Sequence, residues 1–242
     1  MNNETILPPE LSTFRRTAYR PVTAEGDADL RGSKFSGRPW LQHDEPWPLC
    51  PNCNTPQQLF VQLNLASLPP DQQKHLGDRG LLQLFYCTSS DPLCEVECEA
   101  YFPFARSVMA RRIDDVSEPA NTGAQGPVQP FAARRIEGWE AIDDDVPGYE
   151  ELDQLGHELS PEAEQALEEA ERPVTGDKLG GWPAWVQGVE YPSCPTCSTR
   201  MEVVLQIDSN DNLPYMFGDM GAGHLTCCPN HPDVLTFAWA CY

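Results

Sequence analysis

Four residues in the last third of the chain, Cys194, Cys197, Cys228 and His231, carry side chains that bind borderline and soft metal ions. They sit in a Cys-Pro-Thr-Cys turn and a Cys-Pro-Asn-His turn with thirty residues between them. Two tight turns, each presenting a ligand pair at one end of a β-hairpin, satisfy the needs of a closed tetrahedral site. Thiolates with one neutral imidazole suit Zn²⁺ and suit Mg²⁺ or Ca²⁺ poorly. Cys227 competes with Cys228 for its place. Upstream, Cys50, Cys53 and Cys87 repeat the pattern, but Ser90 stands where the histidine would fall. The fourth ligand must then come from the loop beyond, with Cys94 the choice and Cys98 the alternative. One to two zinc ions are expected. Four protein ligands leave no position for a substrate, so both sites read as structural.

The two clusters belong to a longer repeat. Shifted by 144 residues, Lys34, Gly37, Pro39, Pro48, Cys50, Pro51, Cys53, Thr55 and Gln62 fall on Lys178, Gly181, Pro183, Pro192, Cys194, Pro195, Cys197, Thr199 and Gln206. At an offset of 141, Gly77, Asp78, Gly80, Leu84 and Cys87 meet Gly218, Asp219, Gly221, Leu225 and Cys228. An internal repeat decides architecture before any local reading does. The unit is a cysteine knuckle, a strand, a Gly-Asp-x-Gly turn, a second strand and a further cysteine. The expected fold is α+β, mostly antiparallel strands, in a duplicated two-lobe arrangement whose lobes can share a core.

The elements follow from punctuation and periodicity. The segment 1–33 reads as an N-terminal extension with a short helix around Glu10–Tyr19. Residues 34–113 form the first repeat lobe, with strands over Leu59–Leu65, Gly80–Cys87 and Ala100–Val108. A helical turn opens at Pro69-Pro70 and closes at Gly77. Residues 114–177 are a connector, turn-rich over 114–130 and acidic beyond. In its acidic part Ser160 caps a helix begun by Pro161, with Ala163, Ala166, Leu167 and Ala170 on one face, and Pro173 ends it. The second lobe, 178–242, finishes on the apolar run Val234–Tyr242, which requires burial centrally or against the other lobe.

With 24 prolines and 17 glycines in 242 residues, many turns are expected and a helical bundle is excluded. Formal net charge is −21, and Glu137–Glu171 holds fourteen acidic residues without a Lys or Arg. Sixteen cationic side chains in all argue against direct nucleic-acid binding. The acidic run reads first as a solvated surface, with Asp143, Asp144, Asp145, Glu150 and Glu151 exposed, and second as a surface for a basic protein. No apolar stretch has the length of a signal peptide or a membrane span, so a cytoplasmic monomer is expected. In that reducing setting ten cysteines point to metal rather than disulfides. No catalytic or cofactor-binding residues are assigned. Gly-Asp-x-Gly is too short for a phosphate loop, and no paired base or nucleophile accompanies Asp78 or Asp219.

Lys178-Leu-Gly-Gly-Trp-Pro, Trp185-Val-Gln, Cys-Pro-x-Cys, Leu205-Gln-Ile-Asp, Gly218-Asp-x-Gly and Cys-Pro-x-His-Pro resemble the YwqG-like bacterial family of unknown function. Lys34-Phe-Ser-Gly-x-Pro, Trp47-Pro, Phe60-Val-Gln-Leu-Asn-Leu and Gly80-Leu-Leu-Gln-Leu-Phe-Tyr fit the same family. The resemblance covers about Lys34 to Tyr242, and the connector matches least. A more distant similarity is to the eukaryotic programmed cell death protein 2 group, which shares duplicated Gly-Gly-x-Pro-x-Trp and Cys-Pro-x-Cys elements. That similarity implies a link to the chaperoning of a ribosomal protein. The expected function is non-enzymatic protein binding, chaperone-like or regulatory, toward a basic client. The alternatives are an immunity protein that neutralises a toxin, and a metal-dependent or RNA-processing enzyme.

Overall fold

The computed structural model describes residues 7–242, so the first six residues of the N-terminal extension lie outside the described part. Ten strands make one sheet: β1 (Arg16–Glu25), β2 (Lys34–Phe35), β3 (Gln58–Asn64), β4 (Leu81–Tyr86), β5 (Val108–Ile113), β6 (Arg134–Asp145), β7 (Lys178–Gly180), β8 (Glu202–Asp208), β9 (Ala222–Cys227) and β10 (Leu235–Ala240). The spatial order is β10-β9-β8-β7-β1-β6-β2-β3-β4-β5, with antiparallel pairing between the named strands throughout. The two ends of the sheet, β5 and β10, approach each other, so the sheet curls into a nearly closed barrel. Four short helices join them: α1 (Pro70–Leu76), α2 (Cys94–Glu97), α3 (Tyr149–Gln154) and α4 (Pro161–Glu169).

Outward from the central β1–β6 pair the order reads alike in both directions. On one side come β2, β3, β4 and β5, on the other β7, β8, β9 and β10. Registers agree as well: Lys34 pairs with Gln62, and Lys178 with Gln206. Both β3 and β8 carry a bulge against their neighbour, between Leu59 and Val61 and between Val203 and Leu205. The leading strands are exchanged, because β1 lies beside β7 and β6 beside β2.

One core fills the barrel and draws on both halves. Phe60 and Tyr86 meet Tyr215, Phe217 and Phe237 with ring centroids 5.0 to 6.4 Å apart. Full burial of such a ring contributes about 1.5–3 kcal/mol, which makes this cluster the main adhesive between the halves. Leu41, Trp47, Leu59 and Phe85 cover the outer face of β3 and β4.

The glycines of the two Gly-Asp-x-Gly turns have separate reasons. Gly77, Gly80 and Gly218 have positive φ, as expected. Gly221 does not, and is needed because a Cβ there would meet the Ala240 carbonyl oxygen, as one on Gly80 would meet that of Ile113.

Several local expectations hold and others do not. The strands at Gln58–Asn64 and Leu81–Tyr86, the helix Pro70–Leu76 and its Gly77 cap are present. Ser160 accepts a hydrogen bond from the Ala163 amide, with Pro161 opening α4 and Ala163 and Leu167 buried. Over Ala100–Val108 turns replace the expected strand, since Phe104 has φ 63° and the Val108 amide closes back on Ala105; the strand begins only at Val108. The expected Glu10–Tyr19 helix is a 3₁₀ turn over Pro9–Phe14 followed by β1. Pro21 and the many polar residues hide that strand, although it lies at the middle of the sheet. Likewise β6 runs through the connector, only half-buried and therefore weakly patterned. The terminal run is β10, which closes on the first half through the Trp239 amide to the Tyr101 carbonyl and the Trp239 indole N–H to the Tyr86 hydroxyl.

Candidate metal centres

Each knuckle begins where the chain leaves a stretch pinned to the sheet by a buried lysine. Lys34 donates to the Asp27 carboxylate at 2.7 Å, and Lys178 to that of Asp145 at 3.1 Å, both ammonium groups being fully buried. The other carboxylate contacts correspond, with the Arg38 amide donating to Asp27 and the Trp182 amide to Asp145. A Cβ on Gly37 or Gly181 would strike those carboxylates, which explains why both copies carry glycine there. Asp145 is therefore a buried ion-pair partner and not an exposed acid. Glu151 is also buried; its carboxylate accepts from the Trp185 indole and the Tyr191 hydroxyl. These two members of the acidic run are spent on structure, because an unpaired buried carboxylate is too costly to keep.

The knuckles themselves are near copies. In one, the Cys50 amide donates to the Thr55 carbonyl and the Asn54 amide to the Cys50 carbonyl; in the other, Cys194 donates to Thr199 and Ser198 to Cys194. Asn54 and Ser198 both adopt φ 61°, the left-handed residue that tightens the turn. The opposing ligands come from the far end of the next hairpin, since β4 leads into Cys87 and β9 into Cys228.

The ligand atoms of Cys50, Cys53, Cys87 and Cys94 all lie within 4.8 Å of one another, and so do those of Cys194, Cys197, Cys228 and His231. Cys53 and Cys87 sulfurs are 3.6 Å apart, and Cys197 and Cys228 sulfurs 3.7 Å. The imidazole Nδ1 of His231 lies 3.7 Å from the Cys228 sulfur and 3.9 Å from that of Cys194. A tetrahedron with metal–sulfur bonds of about 2.3 Å has edges of about 3.8 Å, so the spacing and the donor set fit a thiolate-binding metal such as zinc. Both clusters could hold a metal ion. Cys94 takes the fourth place of the first set on α2, with Cys98 packed at its margin; Cys227 stays outside the second set and points to the Cys228 and Pro232 carbonyls. The seven cysteines and histidines outside the sets form no further such group among the described residues.

Electrostatics prepares the second cysteine of each knuckle. The Thr199 hydroxyl and amide hold the Cys197 thiol down at about 6, against a smaller opposing effect of burial. Burial alone would raise Cys53, yet hydrogen bonds from Thr55 and the neighbouring sulfurs bring it down to about 6. Burial pushes Cys87 up to about 12 and Cys94 upward as well. A cation supplies what the buried members lack, since a bound metal takes only the thiolate. Thr55 and Thr199 are thus partners of candidate ligands, and threonine at the same step of both turns is the signal available in the sequence. A metal held by all four members of a set would have no vacant direction for a substrate.

Residues 33–241 match the model of a domain of unknown function, DUF1963. The chain belongs to that family. A segment of 39 residues is also 49% identical to an uncharacterized protein, YpfL, of Salmonella typhimurium, covering 16% of this chain and 9% of that protein. The chain thus spans under a tenth of that relative's length. No helix among the described residues is long and apolar enough to cross a membrane.

Proposed function

We propose that the protein is a non-enzymatic binding protein whose two cysteine clusters hold structural zinc and whose acidic α3–α4 face engages a basic protein segment. The observation that carries this reading is a cleft of about 390 Å³ on that face. Exposed Glu150, Glu168 and Glu171 and half-buried Asp208 surround it, beside the rings of Tyr149, Trp185 and Tyr242. Carboxylates next to aromatic faces favour Lys and Arg side chains by Coulomb attraction and by cation–π contact. Arg172 is the one cation of the lining, and its guanidinium is engaged by the carbonyls of Asp144 and Ala170. The closed four-ligand sets support a stapling role for the metals. The matched strand order and registers support descent of the two halves from one duplicated unit. The distant similarity to the programmed cell death protein 2 group implies a client-binding role of the same kind.

The test uses the partner recovered by affinity purification and the triple variant Glu150→Gln, Glu168→Gln, Glu171→Gln. Charges at a rim act mainly on encounter, so association should slow about tenfold at low salt and lose much of its salt dependence, with dissociation near the parent rate. An association rate indifferent to salt and to all three substitutions would return this face to a merely solvated one.

A further inference from the structure

A second concavity, of about 350 Å³, lies where the two halves of the chain meet. Helix α1 of the first half supplies Asp71, Gln72 and His75, β1 supplies Arg16, and the second half supplies Arg200 and Glu202. The Arg16 guanidinium stacks over the Trp182 ring at 3.4 Å and that of Arg200 over Tyr191 at 4.1 Å. Among the described residues, no ion pair or hydrogen bond engages the side chain of Arg16 or Arg200; the same holds for Arg20, Arg38, Arg79, Arg106 and Arg134, but Arg16 and Arg200 share one concavity and each is stacked on a ring. Glu151 and Glu202 act on Arg16 without reaching ion-pair distance, so two stacked guanidiniums in one concavity keep hydrogen-bonding capacity for an anion.

The carboxylates nearby are already committed. Asp71 accepts from the Tyr19 hydroxyl at 2.6 Å and the Gln72 amide at 3.1 Å. Glu202 faces the His75 imidazole at 3.1 Å, and Glu151 is held behind Tyr191. Stacking occupies the face of each guanidinium and leaves its N–H edges for hydrogen bonding, and paired N–H groups of this kind grip a planar oxyanion. The floor is closed by Gly180 at φ 66°, where a Cβ would come within 2.8 Å of the Gln72 amide nitrogen. Junctions between halves of a fold are common places for small ligands.

We propose that this pocket binds a small carboxylate between the N–H edges of Arg16 and Arg200. Asp71 and Glu202 line the same space, which disfavours a dianion such as phosphate and favours a single negative charge. This site is separate from the acidic cleft, with which it shares Pro183, and it borders the second cysteine turn through Arg200.

The full metal-loaded chain is titrated with sodium acetate and, separately, with inorganic phosphate, following the arginine Nε–Hε and Trp182 indole resonances against a sodium chloride control. Acetate should produce saturable shifts at Arg16, Arg200 and Trp182 beyond those of chloride, and phosphate weaker ones. Arg200→Gln, at an exposed side chain, should weaken acetate binding about tenfold while the remaining spectrum stays native. The parent titration decides the matter even if a variant at Arg16 folds poorly. Shifts no larger than those of chloride, phosphate binding tighter than acetate, or an Arg200→Gln protein that binds acetate like the parent would each overturn the assignment.

Discussion

Thr199 and Cys197 show how much a single side chain can add to a metal cluster. A hydroxyl that holds the thiolate of a ligand is an outer-shell partner, and loss of such a partner typically lowers metal affinity 10- to 100-fold. Thr199→Val should therefore weaken zinc retention about tenfold in a competition with a chelator, with one metal lost earlier than in the parent. Cys197→Ser goes further and removes the ligand. Elemental analysis of the parent should return one to two zinc ions per chain, and the variant should carry one fewer. Its melting temperature should fall by about 10 °C or more, against a few degrees for Cys241→Ser, whose sulfur lies outside both sets. Equal losses in the two variants would remove Cys197 from the ligand set.

At the scale of the element, the buried polar strip that ties each knuckle to the sheet sets the response to charge and pH. Asp145 at the end of β6 holds Lys178 of β7, so Asp145→Ala should cost about 3–5 kcal/mol in a denaturant titration because it strands a buried ammonium. Exposed Asp143, two residues earlier, should tolerate Asn within about 0.5 kcal/mol. On β9, burial first and Lys178 second bring His224 down to about 3, so the folded protein keeps it neutral. The unfolded chain takes up that proton near 6.5, so it binds more protons than the folded one between about 3 and 6.5. The contribution of His224 to stability then falls as pH drops through that window and is level above it, whereas buried Asp177, raised to about 7, contributes in the opposite sense. Gln83 occupies the matching place in the first half, where its amide donates to Gln62 as His224 faces Gln206. His224→Gln should for that reason fold and show a shallower loss of stability between pH 7 and pH 5; an unchanged slope would mean that His224 is not the group responsible.

For the whole molecule, the exchange of β1 and β6 makes each half incomplete. A fragment ending at residue 113 would leave β2 without its β6 neighbour and β1 without β6 and β7. Phe60 and Tyr86 would also lose Phe217 and Phe237. Fragments 1–113 and 114–242 should each give poorly dispersed amide spectra alone, and dispersed spectra when expressed together. A native-like spectrum from either one alone would show that the lobes are autonomous. The same shared core predicts a single unfolding transition by two independent probes, and Phe60→Ala should lower stability by about 3–5 kcal/mol without splitting it.

Local chemistry by itself determined a good part of this protein. Cysteine spacing and the repeat offsets led to both clusters that could hold a metal, with Cys228 over Cys227, because tight turns and strand lengths fix where a ligand can fall; Cys94 and Cys98 share one loop, and the fold brings Cys94 to the group. Proline and glycine placed α1 and α4 for the same local reason. The tertiary structure alone decided what depends on partners distant along the chain. Lys34 and Lys178 are repeated residues, but their acceptors, Asp27 just past β1 and Asp145 at the end of β6, lie outside the repeated window. Asp145 and Glu151 looked like members of a solvated acidic run, since nothing local distinguishes a buried acid from an exposed one until its donor is brought to it. Strands β1 and β6 escaped notice because a half-buried strand has a weak alternation, and what holds both at the centre of the barrel is pairing with strands of both halves.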